Sequence, residues 1–442
     1  MKKSLLWVVV LVLSILMVAA FSFAGCKAKT VAETTAAETT EAAKEEAAPS
    51  EEKITLVYAN WTASEESTKE AYIALMKGFE ESHPNVTIEN LAMPWSEIKS
   101  YYVTSSAGGN PADVFAVDPA WSYELAAMGA LADQRELDLE YIGELVDGSW
   151  VEVDGKIWCT PQSILTQDLW ANKTLMSEAG IDEEPATIEE FTLALKKARD
   201  TLDEDIYPLA INTNDSSMVM EFMWVMWSFG ANPLKDGANF DTLEMKAFCE
   251  WLRGLAQEEL MTTGLNVQQV RELSAQEKAV FAVDHNFFSF IVPTLNVDLN
   301  FAETFSPLVP PITDKVSSPR LPILGGGNCI SSQSENKEMA MEFVKHMNSS
   351  DEAAMFVQDI GLFSGTESQN DKDKYPEFFA SKTIVELMDK SMPYGAQMPY
   401  SAQYNSAAEF IFQAFHKVIY TNEPIEDILT NTEATLKVLL GE

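Results

Sequence analysis

The sequence predicts an α/β protein of two lobes, and two observations carry that expectation. At 442 residues the chain is longer than one hydrophobic core usually sustains, which favours two cores in one molecule. Beyond residue 53, short apolar runs alternate with helix-like stretches in the order β-α-β-α-β. That order implies a parallel sheet joined by right-handed crossovers.

In chain order, Met1-Lys2-Lys3 precedes an apolar run from Leu5 to Phe23. A basic start before an apolar core is the pattern of a secretory signal, although the run alone also suits a membrane-spanning helix. It ends in Phe23-Ala24-Gly25-Cys26, small residues before a cysteine, which resembles a bacterial lipobox. The resemblance implies a signal peptide over 1–25, lipid modification of Cys26 and anchoring to the outer face of the cytoplasmic membrane. Residues 26–53 are mostly Ala, Thr, Glu and Lys without an aromatic, so the expectation there is a disordered acidic tether.

The body opens with Ile54-Thr55-Leu56-Val57-Tyr58, a β-branched and aromatic strand candidate. From Ser67 to Ser82, Ala71, Leu75, Met76 and Phe79 share one helical face. His83-Pro84-Asn85 ends that helix, and Val86-Thr87-Ile88 reads as a second strand. A helix over Glu97–Ala107 closes at Gly108-Gly109-Asn110-Pro111, and Asp113–Val117 is a third strand. Ser306-Pro307-Leu308-Val309-Pro310-Pro311 must be extended, because proline forbids helix there. Ala407–Tyr420 and Ile425–Leu440 both repeat with helical periodicity.

Composition narrows the function. With 68 acidic against 30 basic residues the formal charge is −38, which excludes a nucleic-acid partner, since that needs basic patches. The cysteines, Cys26, Cys159, Cys249 and Cys329, form no metal-ligand spacing. With Cys26 modified, the other three allow one disulfide, or stand as small buried hydrophobes. No Gly-x-Ser-x-Gly or His-Glu-x-x-His motif occurs, and four histidines offer few general bases. The expectation is a binding protein and not an enzyme, with no cofactor and no metal.

Ligands of parallel sheets bind beyond the carboxyl ends of the strands. Asn60-Trp61 follows the first strand here, and Asp118-Pro119-Ala120-Trp121 follows the third. Two indoles beside polar groups at one sheet edge suit stacking on a ligand ring; the alternative is that either indole covers the core.

Gly109-Asn110-Pro111-Ala112-Asp113-Val114, with Leu125–Leu131 after it, resembles the extracellular solute-binding proteins of sugar ABC transporters. So do Val153–Pro161, Trp170-Ala171-Asn172-Lys173, Pro185–Phe191, Gly325-Gly326-Gly327-Asn328 and Asn336–Phe343, in that order and spacing. The resemblance implies the type II periplasmic-binding-protein fold, two α/β lobes with a ligand cleft between them, joined by crossover hinges. It divides the chain into an N-terminal lobe (54–165 and 308–362) and a C-terminal lobe (166–307 and 363–442). Crossings fall near Ser163–Gln167, Ser306–Pro311 and Gly361–Gly365. The expected role is capture of a mono- or oligosaccharide by lobe closure and its delivery to permease subunits, as a monomer. A polyamine, peptide or metal chelate is the alternative ligand, and a glycoside-acting enzyme using paired carboxylates is the further alternative.

Sugars need apolar faces for their C–H side and fixed hydrogen-bonding groups for their hydroxyls. Trp61 and Trp121 are the expected platforms, with Asn60 and Asp118 as polar partners. Trp95 is placed at the rim, and Trp227 at the cleft, each with core packing as the alternative. Asp284, His285 and Phe287 end a strand at the expected cleft edge, with a structural role the alternative for His285. Gly326, Gly327 and Asn328 offer close backbone approach.

Overall fold

The computed structural model describes residues 53–146, 149–325 and 327–442. The signal segment, the tether, Cys26 and Gly326 lie outside them. The first sheet is built on β1 (Ile54–Asn60), flanked in parallel by β2 (Val86–Ala92) and β3 (Val114–Val117). The strands β4 (Val151–Val153), β5 (Lys156–Pro161) and β11 (Gly327–Ile330) complete it, in the order β2-β1-β3-β11-β5-β4.

Strand side chains alternate between faces, and here each face has its own core. Leu56, Tyr58, Val114 and Ala116 pack with Leu75 and Phe79 of the helix Lys69–Ser82 and with Phe343 of the helix Lys337–Ser349. Ala59, Phe115 and Val117 pack with Ile98 and Tyr102 of the helix Trp95–Gly108. The β-α-β-α-β order read from the sequence is therefore present.

The second sheet is organised by the ten-residue β6 (Ser163–Asn172). Its order is β13 (Gly395–Gln397), β10 (Leu321–Leu324), β6, β8 (Ala279–His285), β7 (Tyr207–Ala210), with β9 (Phe305–Leu308) and β12 (Phe363–Ser364) also pairing β6. Leu169 and Ala171 face a core with Phe191, Trp224 and Phe281, while Ile164 and Trp170 face another with Phe288, Phe301 and Phe305. This is the mixed α/β architecture expected, with two sheets.

The chain passes between sheets at Gln162, where β5 runs into β6, and again between Leu324 and Gly327. A third passage follows the helix Asp351–Asp359 and enters β12. The second passage corrects the one expected at Ser306–Pro311. Phe305–Leu308 is an outer strand on β6, with Pro307 opposite Trp170. A proline is tolerated there because an outer strand leaves one side of its backbone unpaired.

Candidate ligand cleft

β1 and β3 run parallel and stop at Asn60 and Val117, so the next residues emerge at one sheet edge. Trp61 and Trp121 meet there with ring centroids 5.9 Å apart and planes at 71°. Trp95, the first residue of its helix, joins them, 4.9 Å from Trp61 at 89° and 4.3 Å from Trp121 at 39°. Tilted and edge-to-face pairs are the favoured arrangements of aromatic quadrupoles. Trp121 is the buried base of this triad at 8% exposure, backed by Tyr102, and Trp95 is 46% exposed.

Asp118 caps the helix Pro119–Ala127, its Oδ1 accepting from the Ala120 N–H at 2.9 Å. Burial pushes its carboxyl above the usual range, while the capping bond, His285 and Lys99 pull it back. His285 comes from the other sheet, so the ends of β3 and β8 face each other across the cleft. Tyr400 and Tyr404 approach from the same side. Burial raises the pKa of both hydroxyls, and the charge of Asp118 adds to that rise.

These two tyrosines and Tyr123 were missed in the sequence. Tyr123 lies 5.9 Å from Tyr400, and Tyr400 is 4.6 Å from Tyr404 at 84°. Gln397 Nε2 donates to the Trp150 carbonyl at 3.4 Å, a further link between lobes. The one available signal was the run Tyr394-Gly395-Ala396-Gln397-Met398-Pro399-Tyr400 before a helix, aromatic and polar without a period. The lobes lie close here: the space bounded by Tyr123, Trp150, Leu324, Gln397 and Tyr400 is about 30 Å³. Small-molecule sites typically offer roughly 300 Å³ or more, so this part of the cleft admits a ring-sized ligand only if it widens.

Several expected ligand contacts are instead taken up inside the protein. Asn60 is buried; its Nδ2 donates to Asn90 Oδ1 at 2.8 Å and its Oδ1 accepts from the Ala63 N–H at 2.9 Å. Asn328 is likewise buried, accepting from the Tyr58 hydroxyl at 2.7 Å and donating to Asn348 Oδ1 at 2.7 Å. Gly327 serves strand packing: a Cβ there would lie 2.6 Å from both Cys159 Sγ and the Thr160 carbonyl. Trp227 is 4% exposed in the second-lobe core, with the Arg320 guanidinium 4.3 Å above its ring.

Asp284 is an anchor. Arg271 reaches it twice, Nε to Oδ2 at 2.6 Å and Nη2 to Oδ1 at 3.0 Å, and the His285 N–H donates to Oδ1 at 2.8 Å. Burial works to raise its pKa, but Arg271 and His285 outweigh burial and hold the carboxyl below the usual range. His285, half-buried, is held with Nδ1 3.3 Å from Asp284 Oδ1. Phe287 is half-buried under Arg271 and packs against the first-lobe core. Among the described residues no cluster of His, Cys, Asp or Glu could hold a metal ion, and no helix is long and apolar enough to cross a membrane.

The sequence profile described as bacterial extracellular solute-binding protein matches residues 74–385. A Brucella abortus protein named simply as a binding protein is 22% identical over 318 residues, 68% of this chain and 73% of its own. The diacetylchitobiose binding protein DasA of Streptomyces coelicolor is 28% identical over 155 residues, 33% of this chain and 35% of its own. Among solved structures, maltose-bound MalE3 of T. maritima superposes with a TM-score of 0.74 at 22% identity, covering 88% of this chain and all of that one. The chain belongs to the family of bacterial extracellular solute-binding proteins, and its fold is that of the MalE-like type II binding proteins.

Proposed function

We propose that this member of the family captures a carbohydrate outside the cell and hands it to the permease of an ABC importer, acting by binding alone. The tryptophan triad carries the proposal. Trp61, Trp95 and Trp121 form an aromatic wall at one lobe's sheet edge, and Tyr123 of that same lobe meets Tyr400, which packs on Tyr404, from the other lobe. Flat apolar faces suit the C–H side of a pyranose ring, and Asp118, His285 and the tyrosine hydroxyls suit its hydroxyl groups. The relatives point the same way, one being named for diacetylchitobiose and another solved with maltose.

The mechanism is hinged closure about the passages at Gln162 and Leu324–Gly327. A ligand touching both walls stabilises the closed state by its greater affinity for it. The two lobes are the N- and C-terminal groupings around the two sheets, the second beginning after Gln162. Lipid attachment at Cys26 would hold the monomeric chain at the membrane surface near its permease and raise its local concentration there.

Titration of the intrinsic tryptophan fluorescence tests this. Oligosaccharides are expected to shift the emission saturably, and polyamines, peptides and divalent metals to leave it unchanged. Saturable changes with those compounds and with no saccharide would refute the carbohydrate assignment.

A further inference from the structure

The strands that carry the first two passages between sheets each hold a buried cysteine, Cys159 in β5 at 2% exposure and Cys329 in β11 at 0%. β5 and β11 are antiparallel, with Pro161 opposite Gly327 and Thr160 opposite Asn328. The next step of that register sets Cys159 opposite Cys329. Residues directly opposed in an antiparallel pair have Cα atoms about 4.5–5.5 Å apart. A disulfide spans about 4.4–6.8 Å between Cα atoms, a range that a pair opposed in this register meets. Opposed residues also project from the same face of the sheet. Both side chains belong to one buried cluster and both thiols are free in the structure; burial raises the Cys329 thiol, and the neighbouring Cys159 raises it further. The third cysteine among the described residues, Cys249, is fully buried on the helix Leu243–Gln257.

We infer that Cys159 and Cys329 are a disulfide-forming pair that staples the two hinge-bearing strands of the first sheet once the chain is outside the cell. The oxidant is a disulfide, either of a thiol-oxidising protein or of glutathione. One cysteine thiolate attacks it, forms a mixed disulfide and releases one thiolate. The second cysteine sulfur then displaces the remaining half. Two thiols become one S–S bond, and two electrons pass to the oxidant. The oxidant leaves as two thiols carrying the two protons. Such exchange proceeds through the thiolate, so it is fastest while the strands are still exposed during folding. The link closes a loop containing β6 to β10, most of the second sheet. Its effect falls on stability, by restricting the unfolded chain. It joins strands of one sheet, so it leaves lobe rotation free.

The test is peptide mapping of the full-length chain exported to an oxidising compartment, unfolded in alkylating agent without reductant. The expected product is a Cys159–Cys329 linked peptide, two hydrogens lighter than its reduced components, with Cys249 alkylated. Cys249→Ser is expected to keep the link, and Cys159→Ser or Cys329→Ser to abolish it. The oxidised protein is expected to melt on the order of 5 °C above the reduced one, a gap absent in the double variant Cys159→Ser/Cys329→Ser. Alkylation of both Cys159 and Cys329 in the exported chain would overturn the inference, as would a link through Cys249. The Cys249→Ser arm decides even if the other variants fail to fold.

Discussion

Trp95 is 46% exposed and Trp121 only 8%, and that difference separates binding from stability. Trp95→Ala removes a platform and little core, so it is expected to weaken oligosaccharide binding about tenfold or more, with an unchanged denaturation midpoint. Trp121→Ala is expected to weaken binding and also cost about 3 kcal/mol of stability, measurable by urea denaturation. Asp168, buried on β6, shows a different residue-scale effect. Burial raises its carboxyl to about 6, the nearby Ser391 hydroxyl, the bond from Thr166 and the charge of His285 pull it down, and Asp284 raises it again. A raised acid holds its proton more tightly in the folded state. Its stabilising contribution is therefore full below about pH 4 and is lost as pH climbs to about 6, a loss on the order of 3 kcal/mol. Asp168→Asn stays neutral, so it is expected to gain stability relative to the parent across that window, read from urea midpoints at pH 4 and pH 7. The tryptophans of the triad were legible in the sequence because they follow strand ends. The roles of Asn60 and Asn328 were not, because a polar residue looks alike whether it faces a ligand or a buried partner. Their partners, Asn90 and Asn348, come from other elements of the fold.

At the scale of elements, the passages between sheets demand small residues. A Cβ at Gly327 would press on the Thr160 carbonyl at 2.6 Å, a backbone atom that cannot rotate away. Gly327→Ala is expected to cost about 2 kcal/mol or more, seen as a lower melting temperature, with the binding stoichiometry intact in whatever remains folded. The strands of the first sheet were readable because Ile54–Tyr58, Val86–Ile88 and Asp113–Val117 combine β-branched residues with turn signals on either side. The second passage was misplaced because prolines mark a stretch as extended without saying which sheet it joins. Pairing of Phe305–Leu308 with β6 depends on the tertiary neighbour alone. Tyr123, Tyr400 and Tyr404 escaped for a related reason: they reach one point from separate segments, two of them around an aperiodic run.

For the whole molecule, the relevant quantity is the space between lobes. Beside Tyr123 and Tyr400 that space is only about 30 Å³, and a ring-sized ligand reaching these tyrosines requires more. Small-angle scattering of the unliganded chain is therefore expected to show a larger radius of gyration than the chain saturated with its saccharide. Identical profiles would remove hinged closure from the mechanism while leaving the aromatic wall in place.

The central claim, carbohydrate capture between the two aromatic walls, is tested most directly by the melting temperature of the chain across a panel of mono- and oligosaccharides, polyamines, amino acids and divalent metals. A ligand at a hundred times its dissociation constant stabilises the folded state by about 2.7 kcal/mol. A clear upward shift is expected with one related group of saccharides and is expected to shrink in Trp95→Ala. Shifts confined to amines or metals, or a saccharide shift untouched by loss of Trp61, Trp95 and Trp121 in turn, would contradict it.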